Sequence, residues 1–416
     1  MNLPSINLSP DVAARVLGLM LVAWQPFISG ARLPSLLLFL LGVWMLWRKR
    51  IDFQALAIKR MGLVFLLLLI PVLLSLPTSF DPQGGLSVAA LLPLFYVVGL
   101  SLLQGLSTPT GREWLQRWLL VVLLIWLADG YIQFAFGRGL LGVSMSEDER
   151  ILGFFADNLH LGLFLAVLLP VILWRLAAER PWLALLIIAL TSFIVIMNGA
   201  RSGVLMLVLA CITLLPRFTW RYRALMVMVL TSALIAALLF SPVISDRYER
   251  FVSLGNQTGV SLFQKFDGAL SGRVIIWETA WQMIRDRPLT GVGAKAFAEA
   301  YDRYATRAED PFRSGGGYTG GVYHAHQMYV SVAAESGVIG FAGLLAAIGL
   351  CAAWYFHAPP ERRRQAAPFV ASLVVIAFPL QSQPVLYTLW WFPIVLLLLC
   401  AMLAALGNNN PSLHSG

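Results

Sequence analysis

Long apolar runs separated by short polar connectors set the rhythm of this chain. Runs such as LVFLLLLIPVLLSL recur along almost its whole length. Searching for stretches of about 17–25 apolar residues, the span of a membrane helix, gives about twelve. They fall near residues 12–29, 33–47, 61–77, 86–104, 118–137, 158–175, 182–199, 203–216, 224–240, 336–356, 366–382 and 386–406. The second and eighth are short, and NGARSG alone separates the seventh from the eighth. The pattern predicts an all-α polytopic membrane protein. One connector stands apart: residues 241–325 form a large, partly helical loop. The expected organisation is therefore nine spans over 1–240, a loop domain over 241–325, and three spans with a short tail over 326–416.

Composition agrees, since 59% of the residues are hydrophobic and only 12% are charged, against about 25% charged in a typical soluble domain. Mean hydropathy is +0.76. The net charge of +9 becomes informative through its placement. Alternate connectors, RKRIDFQALAIKR, GREWLQR, RLAAER, RFTWRYR and HAPPERRRQ, hold fifteen of the thirty Lys and Arg residues, while TSFDPQGG and QSQP on the opposite side hold none. The positive-inside rule then puts both termini and the basic connectors in the cytoplasm and the 241–325 loop outside. That loop carries ten Lys or Arg, but long loops cross largely regardless of charge. The opening MNLPSINLSP lacks the basic region of a cleavable signal peptide. Cys211, Cys351 and Cys400 all sit inside apolar runs, so neither a disulfide framework nor a zinc site is expected.

The loop is too long for an idle connection. Within it, SGRVIIWETAWQMIRDRPLTGVG reads as a helix, capped by Ser271, with Ile276, Ala280 and Ile284 at helical spacing and Pro288 and Gly291 ending it. Arg273 falls in the first turn, with Trp277 one turn along. A cation there opposes the helix dipole, so Arg273 is either an ordinary solvated arginine or one that holds an anion at the helix start. Arg201 interrupts IVIMNGARSGVLMLVLA at the outer end of two spans. A charge at the bilayer centre costs about 2.5–3.5 kcal/mol, whereas one at the edge can snorkel. Asp129, in LLIWLADGYIQF, is expected to pair with an arginine or line a cavity, and SEDERILGFFADN to form a solvated acidic loop headed toward Arg150. GVGAKAF follows a helix and lacks the third glycine of a dinucleotide loop.

Two of the five histidines, His324 and His326, stand where GGVYHAHQMY passes from polar to apolar. They read as polar lining, as a base or as metal ligands. The metal reading is the weakest, because residues two apart converge on one ion only in an extended strand. Glu335, nine residues on, would sit on the opposite face of a continuous helix.

AHQMYVSVAAESGVIG resembles the His-Asn-x-Tyr-Leu…Glu-x-Gly-x-x-Gly signature of the O-antigen ligase and polymerase superfamily, through His326, Tyr329, Glu335, Gly337 and Gly340, with Gln327 replacing the usual Asn and Val330 the usual Leu. The 271–297 segment resembles the family's Arg…Trp…Ala…Pro-x-x-Gly-x-Gly block through Arg273, Trp277, Ala280, Pro288, Gly291 and Gly293. NGARSG resembles its Ser-Arg-Gly block through Arg201, and RILGFFADN is a looser likeness of Gly-x-Phe-x-Asn. Together the blocks cover about residues 150 to 345.

The resemblance implies a GT-C-like glycosyltransferase architecture in the bacterial inner membrane with a periplasmic active site. The implied reaction is inverting and metal-independent, needs no cofactor, and moves O-antigen polysaccharide from undecaprenyl pyrophosphate to the lipid A–core oligosaccharide. Lipid-linked donor, lipid A–core acceptor and membrane lipids are the implied partners, and no nucleic acid is expected. His326, Arg201 and Arg273 are the implied catalytic residues. Arg150, Trp277, Tyr323, His324, Gln327 and Tyr329 are the expected substrate contacts. An O-antigen polymerase and a protein O-oligosaccharyltransferase are the alternatives within the superfamily. A transporter of the same fold family is the alternative outside enzymes, although polar residues gathered at the outer edge favour an enzyme over mid-membrane transport.

Overall fold

The computed structural model describes residues 9–27, 30–156, 159–240, 272–307, 310–313, 324–380, 383 and 385–407. Tyr323, Ser271 and Asp157 lie outside these residues, as does much of the 241–325 loop.

The described residues form helices and no strands. Their order is α1 (Pro10–Ala23), α2 (Arg32–Trp47), α3 (Leu56–Ser75), α4 (Pro82–Gly105), α5 (Pro109–Phe136), α6 (His160–Glu179), α7 (Pro181–Met197), α8 (Arg201–Leu214) and α9 (Trp220–Phe240), then α10 (Arg273–Asp286), α11 (Phe297–Tyr304), α12 (Met328–Phe356), α13 (Pro360–Ala377) and α14 (Phe392–Leu406). Several starts follow from one local device. Ser9, Asp81 and Thr108 each precede a proline at the first helical position, and each side chain accepts the N–H three residues on.

By length and apolarity, α4, α5, α6, α12 and α3 with its short continuation to Thr78 can each cross a membrane. Helices α2, α7 and α14 are apolar but shorter. The other expected spans coincide with α1, α8, α9 and α13. Helices α1 and α8 have 14 residues each, about 21 Å at 1.5 Å per residue, less than the roughly 30 Å hydrocarbon core.

Packing explains why some helices are apolar all round. Helix α6 touches α5, α7, α8 and α13, and nearly every residue from Leu161 to Leu173 is buried. Helix α14 is likewise enclosed, against α13, α4 and α3. Both occupy the interior, where no polar face is needed. The outward leucines of α2, α3 and α5 stay exposed, as lipid-facing residues would.

A second, smaller core sits at one end of the bundle. Ile276, Ala280 and Met283 of α10 pack with Phe297, Tyr301 and Tyr304 of α11 and with Ala325 and Ala334. The predicted helix is thus present and buries the predicted stripe, with Ile284 partly buried. Its N-cap is Gly272 (φ +78), not the expected Ser271.

The outer core is tied to the bundle through a break in α12. Gly337 has φ +61 and ψ −162, a conformation essentially confined to glycine. The break turns backbone groups sideways, and the 288–293 segment pairs with them. Val292 and Gly293 donate to the Ala334 and Glu335 carbonyls, each at 2.9 Å, and Val338 donates to the Pro288 carbonyl at 2.8 Å. A Cβ on Gly337 would lie 2.3 Å from Leu289 backbone, and one on Gly291 would lie 2.4 Å from the Ala334 carbonyl oxygen. The Pro-x-x-Gly-x-Gly and Glu-x-Gly-x-x-Gly patterns are therefore two halves of one joint.

Candidate functional site

The two arginines that interrupt the apolar pattern both begin helices. Arg201 is the first residue of α8 and Arg273 the first of α10, following Ala200 and Gly272. Neither preceding residue has a polar side chain to cap the helix. The two guanidinium groups lie close enough for Arg201 to lower the proton affinity of Arg273, on top of the larger effect of burial. Among the described residues Arg273 forms no ion pair.

Arg150 borders the same turn. Its aliphatic stem lies 3.3 Å from where a Gly199 Cβ would stand, while its Nη2 pairs with Asp148 at 2.7 Å. Asn198 fixes this contact by donating to the Ile151 carbonyl at 2.7 Å. The acidic loop is thus less idle than solvation alone would make it, because Asp148 holds Arg150. Asp129 pairs with no arginine among the described residues; it is buried and accepts the Leu140 N–H at 2.5 Å.

The histidines occupy a tight turn ahead of α12. His326 lies outside that helix, with φ +50, and Gln327 is the N-cap. The segment expected to carry three spans from residue 326 therefore begins with a turn, and its first helix starts at Met328. A non-glycine residue in the left-handed region costs about 1–3 kcal/mol, and neighbouring bonds hold the turn in place. Trp277 Nε1 donates to the Ala325 carbonyl at 2.9 Å, and the Ala325 N–H donates to Ser331 Oγ at 3.2 Å. Gln327 accepts the Val330 N–H through its side chain and donates to the Pro379 carbonyl, both at 2.6 Å. Tyr329 donates its hydroxyl to the Ala377 carbonyl. The structure thus shows Trp277, Gln327 and Tyr329 spending these polar groups on holding the turn.

The turn also brings the two imidazoles together, edge to face with centroids 4.3 Å apart. The left-handed residue folds the backbone back and so brings rings two residues apart into contact. Burial, then His324, then Arg273 push the His326 pKa down to about 4. Burial first and Arg273 also lower that of His324, whose buried Nδ1 has no hydrogen-bond partner. Arg273 thus lies within electrostatic reach of Arg201 on one side and of His324 and His326 on the other, and burial together with its charge favours neutral imidazoles.

His324 faces a cavity of about 300 Å³, whose walls include Asp81, Lys295, Ser331, Glu335 and Tyr387. Glu335 is buried, with the N–H groups of Lys295 and Phe297 directed at its carboxylate. It was legible only as a carboxylate on the wrong face for His326. It lines the cavity with Met328, Ser331 and Val332 of the same helix, and residues 385–388, which no local pattern connects to α12, line it as well. Beyond this cavity, and sharing Met328, Val385 and Leu386 with it, an apolar crevice runs between α3, α12, α13 and α14.

A cavity carrying Asp81, Lys295, His324 and Glu335 thus lies beside the histidine turn at one end of a helical bundle and adjoins an apolar crevice, in a chain whose described residues include five helices long and apolar enough to cross a membrane. Residues 184–345 match the O-antigen ligase family, which supports a place in the O-antigen ligase/polymerase superfamily. The matched segment contains Arg201, Arg273 and His326 and runs past the Gly337 break. The family points to a ligase- or polymerase-type glycosyl transfer. No curated protein sequence matches the chain.

Proposed function

We propose that the protein is an inverting glycosyltransferase that moves O-antigen polysaccharide from undecaprenyl pyrophosphate to the lipid A–core oligosaccharide, completing lipopolysaccharide at the periplasmic face of the inner membrane. The observation that carries this reading is half-buried Arg273, which lies within electrostatic reach of both exposed Arg201 and the His324–His326 pair. Clustered cations oppose folding unless an anion is meant to join them, and two guanidinium forks suit a pyrophosphate better than ammonium groups would.

The chemistry follows from the charges. The acceptor hydroxyl attacks the anomeric carbon of the donor sugar as the bond to pyrophosphate breaks. Negative charge grows on the departing pyrophosphate, where Arg201 and Arg273 stabilise it. That group leaves without a general acid. The hydroxyl is a poor nucleophile, and neutral His326 takes its proton. Attack in a single displacement inverts the anomeric centre. In the free protein His326 is a weak base, with its pKa near 4. Bound pyrophosphate offsets the Arg273 charge and raises the proton affinity of His326, so the base strengthens when donor arrives. The cavity beside His324 suits the acceptor sugar, and the apolar crevice suits the isoprenoid chain of the donor.

The decisive experiment is deletion of the gene followed by analysis of the cell's glycolipids. Long polymer retained on the lipid carrier together with bare lipid A–core supports the ligase. Single repeats capping the core would instead make the protein a polymerase, and unchanged glycolipids would end the enzymatic reading.

A further inference from the structure

At the end of the bundle away from the histidines, the ends of α5, α6 and α13 and the segment after α8 enclose a second polar hollow of about 230 Å³. Four arginines line it, Arg112, Arg175, Arg217 and Arg364, with Glu113 as the lining carboxylate. That carboxylate is already shared, 3.8 Å from Arg117 and 3.7 Å from Arg175. Arg112 is only 5% exposed. It donates to the Leu106 carbonyl at 2.8 Å, the Ser107 carbonyl at 3.1 Å and Gln365 Oε1 at 2.7 Å, all neutral acceptors. Arg217 donates from Nε to the Trp174 carbonyl at 3.0 Å and stacks over the Trp174 ring at 5.5 Å. It forms no ion pair among the described residues. The Trp174 Nε1 is buried and has no hydrogen-bond partner.

Arg175 also pairs with Glu179 at 2.6 Å and Arg364 lies 3.9 Å from Glu361, so two needs remain in one place: Arg112 and Arg217 without a paired carboxylate, and a buried indole donor with no hydrogen-bond partner among the described residues. A phosphodiester meets both, since its anionic oxygens fit a guanidinium fork and accept an N–H. The setting indicates its source. Exposed Trp118, Trp182 and Trp220 stand near the starts of α5, α7 and α9, on the basic-connector side, and tryptophans of this kind mark the headgroup level of a bilayer. Pro368 and Phe369 add an apolar wall to the hollow. We propose that this hollow binds the headgroup of an anionic phospholipid, an interaction independent of glycosyl transfer; basic pockets between helix ends are suited to such headgroups.

The test uses the full-length protein in detergent, with lipid retention followed by native mass spectrometry. Cardiolipin and phosphatidylglycerol should be retained in preference to phosphatidylcholine. Arg217→Ala should weaken anionic-lipid binding about tenfold, the worth of one charge-assisted hydrogen bond. Trp174→Phe keeps the ring under Arg217 but removes the N–H, so a smaller loss of the same kind is expected. It also decides the matter if Arg217→Ala fails to fold. Equal retention of neutral and anionic lipid, or retention unchanged by Trp174→Phe, would overturn the proposal. Protection against thermal unfolding by inorganic phosphate equal to that given by lipid would assign the hollow to a soluble phosphate and overturn its lipid source.

Discussion

Arginine gathers at both ends of the bundle, and the two gatherings are built on opposite terms. At the basic-connector end, Arg175 reaches Glu179 at 2.6 Å and Glu113 at 3.7 Å, and Arg364 lies 3.9 Å from Glu361. Arg112 is held by neutral carbonyl and amide acceptors. Most of that charge is satisfied within the fold. At the histidine end, Arg273 is half-buried, and burial followed by the neighbouring Arg201 charge lowers its proton affinity. Charges arranged against one another are destabilising until something joins them. The contrast separates the histidine end, where Arg273 faces like charge, from the basic-connector end, where, of the arginines lining the hollow, only Arg112 and Arg217 pair with no carboxylate among the described residues.

The largest effect expected from breaking this contrast is at His326. His326→Ala should lower transfer by about 10²–10⁴-fold, the usual worth of general base catalysis, while lipid-linked donor still binds. Transfer assays on purified components, with donor binding measured separately, test this, and unchanged transfer would remove the base. Next comes the joint that carries the site. Gly337→Ala places a methyl against Leu289 backbone at 2.3 Å in a conformation only glycine adopts. A stability loss of about 3 kcal/mol or more should appear as a fall in unfolding temperature in detergent, whereas Gly349→Ala, with nothing near its Cβ, should be neutral.

A smaller effect is expected from Arg273→Lys, which keeps the charge and loses the fork. A reduction of about ten- to a hundredfold in kcat/KM corresponds to one strong charge-assisted bond, and full activity would reduce Arg273 to a point charge. The pH dependence sharpens the same comparison. In the proposed mechanism the working form of His326 is neutral, and burial, His324 and Arg273 push its pKa down to about 4. The acid limb of kcat/KM should therefore lie far below the ordinary histidine range. The limb of kcat, which reports the donor complex, should lie at higher pH because the pyrophosphate offsets Arg273. The smallest effect belongs to His324→Ala. Turnover should change mildly, and the limb of kcat/KM should move upward, because one cause of the depressed His326 pKa is gone.

Much of the scaffold was legible because it rests on local signals. Ser9-Pro10, Asp81-Pro82 and Thr108-Pro109 announce helix starts by their own chemistry, and Ile276, Ala280 and Ile284 announce the buried stripe of α10 by spacing alone. Arg201 and Arg273 stood out as charges against their surroundings, and the structure makes them neighbours. The turn at His326 was not legible, since nothing in HAHQ declares a left-handed residue; Trp277, from 48 residues away, holds the carbonyl beside it. The cavity that Glu335 shares with His324 was not legible either. Helical periodicity describes which way a side chain leaves its own helix, but residues 385–388 also line this cavity.

The hydrogen-bonded break at Gly337 has a mechanical consequence. Because residues 288–293 are bonded to α12 on both sides of the break, the outer helices and this membrane-length helix form a single lever. A helix whose apolar length exceeds the local bilayer thickness tilts to fit it. Tilting α12 would carry α10 and Arg273 with it, so the thickness of the surrounding membrane would be felt as a change in the spacing between Arg273 and Arg201.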